Sequence, residues 1–197
     1  MKAGLLLGLV AAVLLAPALP AQAPQGPAPA AADVHFVTGM IPHHAQAVKM
    51  AGWAPTHGAS AALQRFAERI VVAQKDEIAM MRTWLRQQGM PVPAADATHM
   101  MMERNGTSHA MLMPGMLSDE EMARLDRARG TEFDRLFLQF MIRHHQGAIT
   151  MVDELFASHG AGQDEFVFRL ASDVYADQTT EIEFLQILLD DLPAPGE

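Results

Sequence analysis

The sequence predicts an all-α protein, a four-helix bundle made of two duplicated αα-hairpins, with a methionine-rich connecting loop and one short extra helix. The segment 36–50 recurs 101 residues later as 137–151, and both copies carry Phe, Met-Ile, His-His, Ala and Met at matching positions. The segments 70–78 and 174–182 share Gln-x-x-Glu-Ile. After residue 32, apolar residues recur at three- and four-residue spacing, and no alternating strand pattern is evident.

Start and stop residues give the approximate helix boundaries. Asp33 is a good N-cap for the first helix, and Pro42 either kinks this helix or marks its effective start. Gly89 ends the second helix, and a capping box at Ser118 starts the short one. The predicted helices span about 33–56, 60–88, 118–129, 131–158 and 164–190. The bundle domain is expected over 33–192, with repeats at 33–89 and 131–192 and a long loop at 90–117.

The N-terminal segment predicts export. Lys2, a short apolar run and then small residues resemble a secretory signal peptide over 1–23, and 24–32 is expected to be a disordered Pro/Ala linker. The protein is then periplasmic or extracellular, and it has no cysteine for disulfides or lipidation. With a net charge of −9, nucleic acid and anionic membranes are poor partners, whereas a cation is a suitable one.

Each copy of the repeat places a stripe of imidazoles and thioethers on one helix. Positions three and four residues apart share a helix face, and each Met-Ile-x-His-His segment also has a second His four residues after its Met. The candidate ligands on the two helices are Met40, His43, His44 and Met50, and Met141, His144, His145 and Met151. Thioether and imidazole together favour copper, especially Cu(I), with Cu(II) left open. The alternative is that the methionines fill the core and the histidines only form hydrogen bonds inside the bundle.

The connecting loop adds donors of the same kind. Six methionines and two histidines fall within 99–116. The candidate ligands there are His99, Met102, His109, Met111, Met113 and Met116. The alternative is a methionine-rich lid that packs over the mouth of the bundle.

Acidic residues on the same faces are candidate partners for the imidazoles. Glu77 and Glu181, and also Asp33 and Asp134, are in position to accept hydrogen bonds from imidazole N–H groups. The alternative for the two glutamates is a solvated position at the bundle edge.

These motifs resemble a known family. The paired Met-Ile-x-His-His segments, the Met-Pro-Gly-Met loop at 113–116, Glu-Phe-Asp-Arg-Leu-Phe at 132–137 and the Gln-x-x-Glu-Ile pair are similar to domain-of-unknown-function family 305, over about 33–190. The resemblance implies a ferritin-like helical bundle and, from some exported bacterial members, periplasmic copper binding at the paired His and Met positions. Arg143 stands where the family usually has Pro, and we expect its side chain to point away from the His pair.

The leading hypothesis is an exported protein that binds copper for sequestration, resistance or transfer, without catalysis, and that hands copper to a delivery partner. One alternative is a ferritin-like Fe or Mn oxidoreductase, although the Glu-x-x-His motif of such centres is absent. Another is an interaction bundle whose methionine loop binds a partner protein.

Overall fold

The computed structural model describes residues 28–194, and these form a helical bundle, as the sequence predicts. The predicted signal peptide and the linker up to residue 27 lie outside this range. The helices are α1 (Ala31–Trp53), α2 (Ala61–Gln87), α3 (Asp119–Arg127), α4 (Thr131–Ala157) and α5 (Glu165–Asp190), and the strands are β1 (Met100–Arg104) and β2 (Thr107–Met111). None of the helices between residues 28 and 194 combines the length and apolarity that a bilayer span requires.

Two helical hairpins build the bundle. α1 packs mainly on α2 and α4 mainly on α5, and the two hairpins meet chiefly along α1 and α4. α1 begins at Ala31, so the last two residues of the predicted linker are helical, and Pro42 lies inside the helix rather than at its start. α1 and α4 therefore bring the two His-His segments together at the centre.

The loop prediction for 90–117 is wrong in its middle, where β1 and β2 form an antiparallel hairpin. The turn is Asn105-Gly106, with φ angles of 55° and 74°. Asn-Gly is a preferred two-residue hairpin turn because both residues tolerate positive φ. This dipeptide was the sequence signal for a hairpin, but the flanking residues lack the usual alternation of apolar and polar side chains.

Asp33 does not cap α1, because the N-cap position is Ala30 and has no side-chain hydrogen bond. Asp33 Oδ1 instead accepts a hydrogen bond from Gly162 N, in the α4–α5 turn, at 2.7 Å. Asp134, its counterpart, accepts from Ser60 N, in the α1–α2 turn, at 3.1 and 3.2 Å. The predicted role of both aspartates as imidazole partners is therefore wrong, since each ties down the turn of the other hairpin.

A polar layer divides the core into two apolar clusters. One cluster is methionine-rich and contains Met40, Met81, Met100, Met113, Met116 and Met151. The other is phenylalanine-rich and contains Phe66, Phe133, Phe137 and Phe140, together with Met50 and Met141. Along each long helix the change from one cluster to the other falls at the same level, where the buried His and Gln residues lie.

Candidate metal centre

Four wholly buried imidazoles form the middle of the polar layer. His43, His44, His144 and His145 all have 0% exposure. The ring centroids of His43 and His144 lie 3.8 Å apart, across the contact between α1 and α4. The ring centroid of His44 lies 6.3 Å from that of His43, and the ring centroid of His145 lies 6.2 Å from that of His144. The two copies of one short motif thus supply a cluster of four imidazoles, two from each of α1 and α4.

Two hydrogen bonds fix which nitrogen of the first His pair carries its proton. His44 Nε2 lies 2.6 Å from Glu77 Oε2, and His43 Nε2 lies 3.1 Å from the carbonyl oxygen of Pro114. Both oxygens accept, so each Nε2 is the donor, and in the neutral His43 ring Nδ1 carries the lone pair. The proposed contact between the Gln-x-x-Glu helix and an imidazole is therefore present for Glu77.

The second copy repeats this arrangement less tightly. His145 Nε2 lies 2.8 Å from Glu181 Oε2, but the alignment of a hydrogen bond is absent. Both glutamate side chains are largely covered, at 16% and 17% exposure, so neither is a solvated edge residue. His144 has no hydrogen bond at either ring nitrogen.

Six of the eight ring nitrogens form no aligned hydrogen bond with the protein, and one of these, His145 Nε2, still lies 2.8 Å from Glu181 Oε2. A buried polar atom without a partner costs about 1–3 kcal/mol, so such groups are rare in native cores. Each of the four rings keeps at least one nitrogen without a partner, and since a neutral imidazole has one lone-pair nitrogen, the four rings offer at most four lone pairs to a ligand. The chemistry of these donors fits a metal ion that accepts imidazole.

Burial keeps the central rings neutral. Burial, reinforced by the neighbouring ring of His44, lowers the pKa of His43 to about 3. Burial also holds the pKa of His144 well below its usual value, with His43 and His145 adding to the effect. Neutral imidazole is the form that binds metals, so these two rings are ready to bind at neutral and mildly acidic pH.

The predicted thioether ligands fall into two groups by position. Met40 and Met141 are fully buried one helical turn before the His pairs and border the layer on opposite sides. Met50 and Met151 lie about 10 Å further along their helices, at seven residues and 1.5 Å rise per residue. Met50 is packed inside the phenylalanine-rich cluster, whereas Met151 lines a small cavity. The structure thus keeps Met40 and Met141 near the imidazoles and places the other two at the ends of the bundle.

The Met-Pro-Gly-Met segment lies directly on α1 and α4. A Cβ atom at Gly39 would lie 2.7 Å from Met113 Cε, and one at Gly147 would lie 2.0 Å from Pro114 O. Met116 is buried too, and its sulfur accepts a hydrogen bond from Met113 N at 3.2 Å. This part of the predicted methionine loop packs as a lid over the centre.

The β-hairpin carries its predicted ligands away from the centre. Met102, His109 and Met111 are exposed, and the cross-strand pairs Met102–His109 and Met100–Met111 share one face of the hairpin. His99 is partly exposed, with Nε2 at 3.5 Å from Asp119 Oδ1. None of these four predicted ligands is wholly buried beside the paired histidines.

Three further polar side chains lie around the layer. Arg143 points away from the His pair, as expected, because its guanidinium forms two bonds with Glu121 at 2.7 and 2.8 Å. Gln74 and Gln178 are buried, and their amide oxygens lack partners. Sequence reasoning did not include these glutamines among the candidate site residues, although the Gln-x-x-Glu repeat was their signal.

No metal centre of three or more His, Asp or Glu side chains is preformed in the part of the chain that the structure describes, and this includes the four paired histidines. Between residues 28 and 194, no three His, Asp or Glu side chains converge in a metal-binding arrangement. Because no three of the imidazoles converge as they stand, a metal centre at the paired histidines requires thioether or backbone donors to complete it, or a shift of the rings on binding.

The comparison with protein families is decisive for the family. A family model described as "Domain of unknown function (DUF305)" matches residues 33–189, nearly the whole described part of the chain. The protein belongs to the DUF305 family. No curated protein is significantly similar to it.

Several solved structures share the fold. A DUF305 protein from Streptomyces coelicolor, described as secreted, is 29% identical over 81% of this chain and 93% of that chain, with a TM-score of 0.67. A DUF305 fragment from Deinococcus radiodurans is 28% identical over 84% of this chain and 100% of that chain, with a TM-score of 0.69. CopM in its Cu(I)-bound form is 27% identical over 81% of this chain and 96% of that chain, with a TM-score of 0.61. CopM structures also exist with Cu(II) and with silver bound.

Proposed function

We propose that this DUF305 protein binds copper, chiefly Cu(I), at the centre of the bundle. The observation that carries the proposal is that each of the four wholly buried histidines has at least one ring nitrogen without a protein hydrogen-bond partner. The similarity to CopM, which has been solved with Cu(I), Cu(II) and silver, supports the same metal. His43, His44, His144 and His145 are the proposed imidazole ligands, and Met40 and Met141 are the proposed thioether ligands.

Donor softness favours copper over iron, manganese or zinc. Thioether sulfur binds Cu(I) well and adds little for the harder ions, whereas ferritin-like iron and manganese centres depend on several carboxylates. Here each candidate carboxylate faces an imidazole, with Glu77 Oε2 on His44 and Glu181 Oε2 on His145. A carboxylate that accepts a hydrogen bond from the protonated ring nitrogen orients the ring and makes the other nitrogen a better metal ligand.

Negative charge outside the layer favours a cation. Asp177 lies close to Glu77 and Glu181, and burial together with these carboxylates raises the pKa of Asp177. The chain as a whole carries a net charge of −9. Both features raise the local concentration of cations at the bundle surface.

We propose storage or transfer of copper, rather than catalysis, as the role of the centre. The lid of Met113, Pro114 and Met116 covers it, which suits holding a metal away from solvent. The exposed thioethers of Met102 and Met111 on the β-hairpin are the surface that suits contact with a copper-delivery partner. Export to the periplasm or cell exterior, with cleavage of the predicted signal peptide, remains part of this proposal.

The test is an anaerobic Cu(I) titration of the mature protein against a competing chelator, with Zn(II), Fe(II) and Mn(II) in parallel. Wild type should bind Cu(I) selectively, and the His43→Ala/His144→Ala variant should lose more than about 100-fold in affinity, beyond the usual cost of losing an outer partner. His159→Ala, at an exposed histidine outside the centre, is the matched control and should bind as wild type. Equal Cu(I) affinity in the double variant, or preference for iron or manganese in wild type, would overturn the proposal.

A further inference from the structure

A cavity of about 150 Å³ lies at one end of the bundle, between the start of α1 and the end of α4. His35 and Phe36 line it from α1, Met151 and Glu154 from α4, and Met113 from the lid. We call this the cavity end of the molecule. The opposite end, where α1 finishes and α4 begins, is called the aromatic end.

The donors around the cavity suit a soft cation. Met113 and Met151 are buried, at 6% and 3% exposure, and supply two thioethers to its wall. His35 and Glu154 are exposed and supply an imidazole and a carboxylate to its rim. Thioether and imidazole together select Cu(I) and Ag(I), and a carboxylate at the rim attracts the charge of the arriving ion.

The duplication shows that this arrangement belongs to one end only. The residues that correspond to His35 and Glu154 in the other copy are Leu136 and Trp53. At the aromatic end, Trp53 stacks on His57 at 5.8 Å, and His57 contacts Phe133 at 5.1 Å. The equivalent space is therefore occupied by packed side chains, whereas the cavity end lacks this packing and carries metal donors instead.

The cavity is also close to the copper centre through the lid. Met113 contacts Gly39, which lies one turn before His43, and the next residue, Pro114, bonds to the His43 ring. On α4, Met151 lies seven residues after His144, or about 10 Å along the helix. One residue of the lid thus lines the cavity while its neighbour contacts a ligand of the centre.

We propose that the cavity is a second soft-metal site, formed by His35, Met113, Met151 and Glu154, that takes up Cu(I) at the surface before it reaches the centre. The transfer is a ligand exchange in which Cu(I) keeps its oxidation state. The uptake role rests on the proposed function of the centre, whereas binding at the cavity does not. No residue of the buried histidine cluster is required for the cavity to bind.

Methyl NMR with Ag(I) as a redox-inert probe tests the proposal on the mature protein. With 13C-methyl methionine, Ag(I) should shift Met113 and Met151 in wild type and also in the His43→Ala/His144→Ala variant. In His35→Leu/Glu154→Gln, these two shifts should require at least about tenfold more Ag(I), while the shifts of Met40 and Met141 stay as in wild type. His159→Leu, at an exposed histidine that does not line the cavity, is the matched control.

The outcomes separate the two proposals. If Met113 and Met151 do not shift, or shift equally in His35→Leu/Glu154→Gln, the cavity site is wrong even if the centre binds. If these two shift while Met40 and Met141 do not, the cavity site stands and the central copper site is wrong. An unchanged rate of Ag(I) loading at Met40 and Met141 in His35→Leu/Glu154→Gln would overturn the uptake role, and a rate at least about tenfold slower would support it.

Discussion

The cavity end and the aromatic end of the bundle are formed by equivalent positions of the two motif copies but differ in their side chains. At the aromatic end, Trp53, His57 and Phe133 pack together, and both ring nitrogens of His57 have partners, from Thr56 and Asp126. At the cavity end, the equivalent volume is open and lined with thioethers. The comparison shows that two copies of one sequence motif place equivalent histidines at the centre while the side chains at the two ends differ.

The largest predicted effect is on the free energy of unfolding, and it tests the different contacts that the lid makes with the two motif copies. Gly147 and Gln46 occupy equivalent positions, yet Gly147 lets the backbone of Pro114 approach, and Gln46 holds Leu117 through hydrogen bonds of 2.7 and 2.9 Å. Gly147→Ala would place a methyl 2.0 Å from Pro114 O. We expect a loss of about 3 kcal/mol in the free energy of unfolding, the upper end for overpacking, measured by urea denaturation.

Gly52→Ala is the matched control for that substitution. Gly52 also lies in a long helix, but nothing lies within 4 Å of the added methyl. We expect a gain of about 0.5–1 kcal/mol there, because alanine is the better helix former. Equal effects at Gly52 and Gly147 would contradict the close contact between the lid and α4.

The second effect concerns the centre that both ends share. The pKa of His43 is lowered from 6.5 to about 3 in the folded protein. Between these two pH values, His43 is protonated in the unfolded chain but stays neutral in the folded protein. Stability of the metal-free protein therefore falls as the pH drops from 6.5 towards 3, by on the order of 2 kcal/mol at pH 5 from this ring alone. Urea unfolding at pH 7 and pH 5 measures it.

A His43→Asn variant is the control for the pH prediction, because asparagine does not titrate. Its stability should decline less steeply between pH 7 and pH 5 than that of wild type. A wild-type unfolding free energy that stays flat over this interval would show that the ring is not held neutral by burial.

The third effect asks whether the crossed aspartates contribute equally at the two ends. Asp33 bonds to Gly162 N at the cavity end and Asp134 to Ser60 N at the aromatic end. Each accepts with a charged oxygen, so Asp33→Asn and Asp134→Asn should each cost about 1.5–2 kcal/mol of unfolding free energy. Thermal denaturation of both variants checks this, and a negligible cost at either end would show that its contact does not hold the hairpins together.

The smallest predicted effect is on Cu(I) affinity, and it concerns the glutamates that differ in their contact with the histidines of the two copies. Glu77 forms an aligned hydrogen bond with His44, whereas Glu181 approaches His145 without alignment. Glu77→Gln should lower Cu(I) affinity by about tenfold and Glu181→Gln by less, since an outer partner that orients a ligand costs about 10–100-fold when lost. A larger loss for Glu181→Gln in chelator competition would reverse the assigned order.

The sequence was sufficient for the parts of the structure that depend on local pattern. The helices, the pairing of Met-Ile-x-His-His with Gln-x-x-Glu and the outward position of Arg143 were predicted, because helical periodicity and duplication carry them directly. The sequence-based prediction missed the β-hairpin, although the dipeptide Asn105-Gly106 is typical of a two-residue hairpin turn. Asp33 resembles an N-cap in sequence, but its oxygen bonds to a turn 129 residues away, which no local pattern shows.

Residue positions alone did not show the cavity either. It arises because Met113 of the lid meets Met151 and His35, which belong to three separate segments. His35 was without a counterpart in the second copy, and only packing shows why that difference matters. Long-range contacts of this kind depend on how the hairpins dock.

The most direct test of the central claim is copper K-edge X-ray absorption of the mature protein loaded anaerobically with one equivalent of Cu(I). The account predicts both nitrogen scatterers from imidazole and sulfur scatterers from thioether around copper, with the imidazole contribution reduced in His43→Ala/His144→Ala. A wild-type spectrum with only nitrogen and oxygen neighbours, or one unchanged by that substitution, would contradict it.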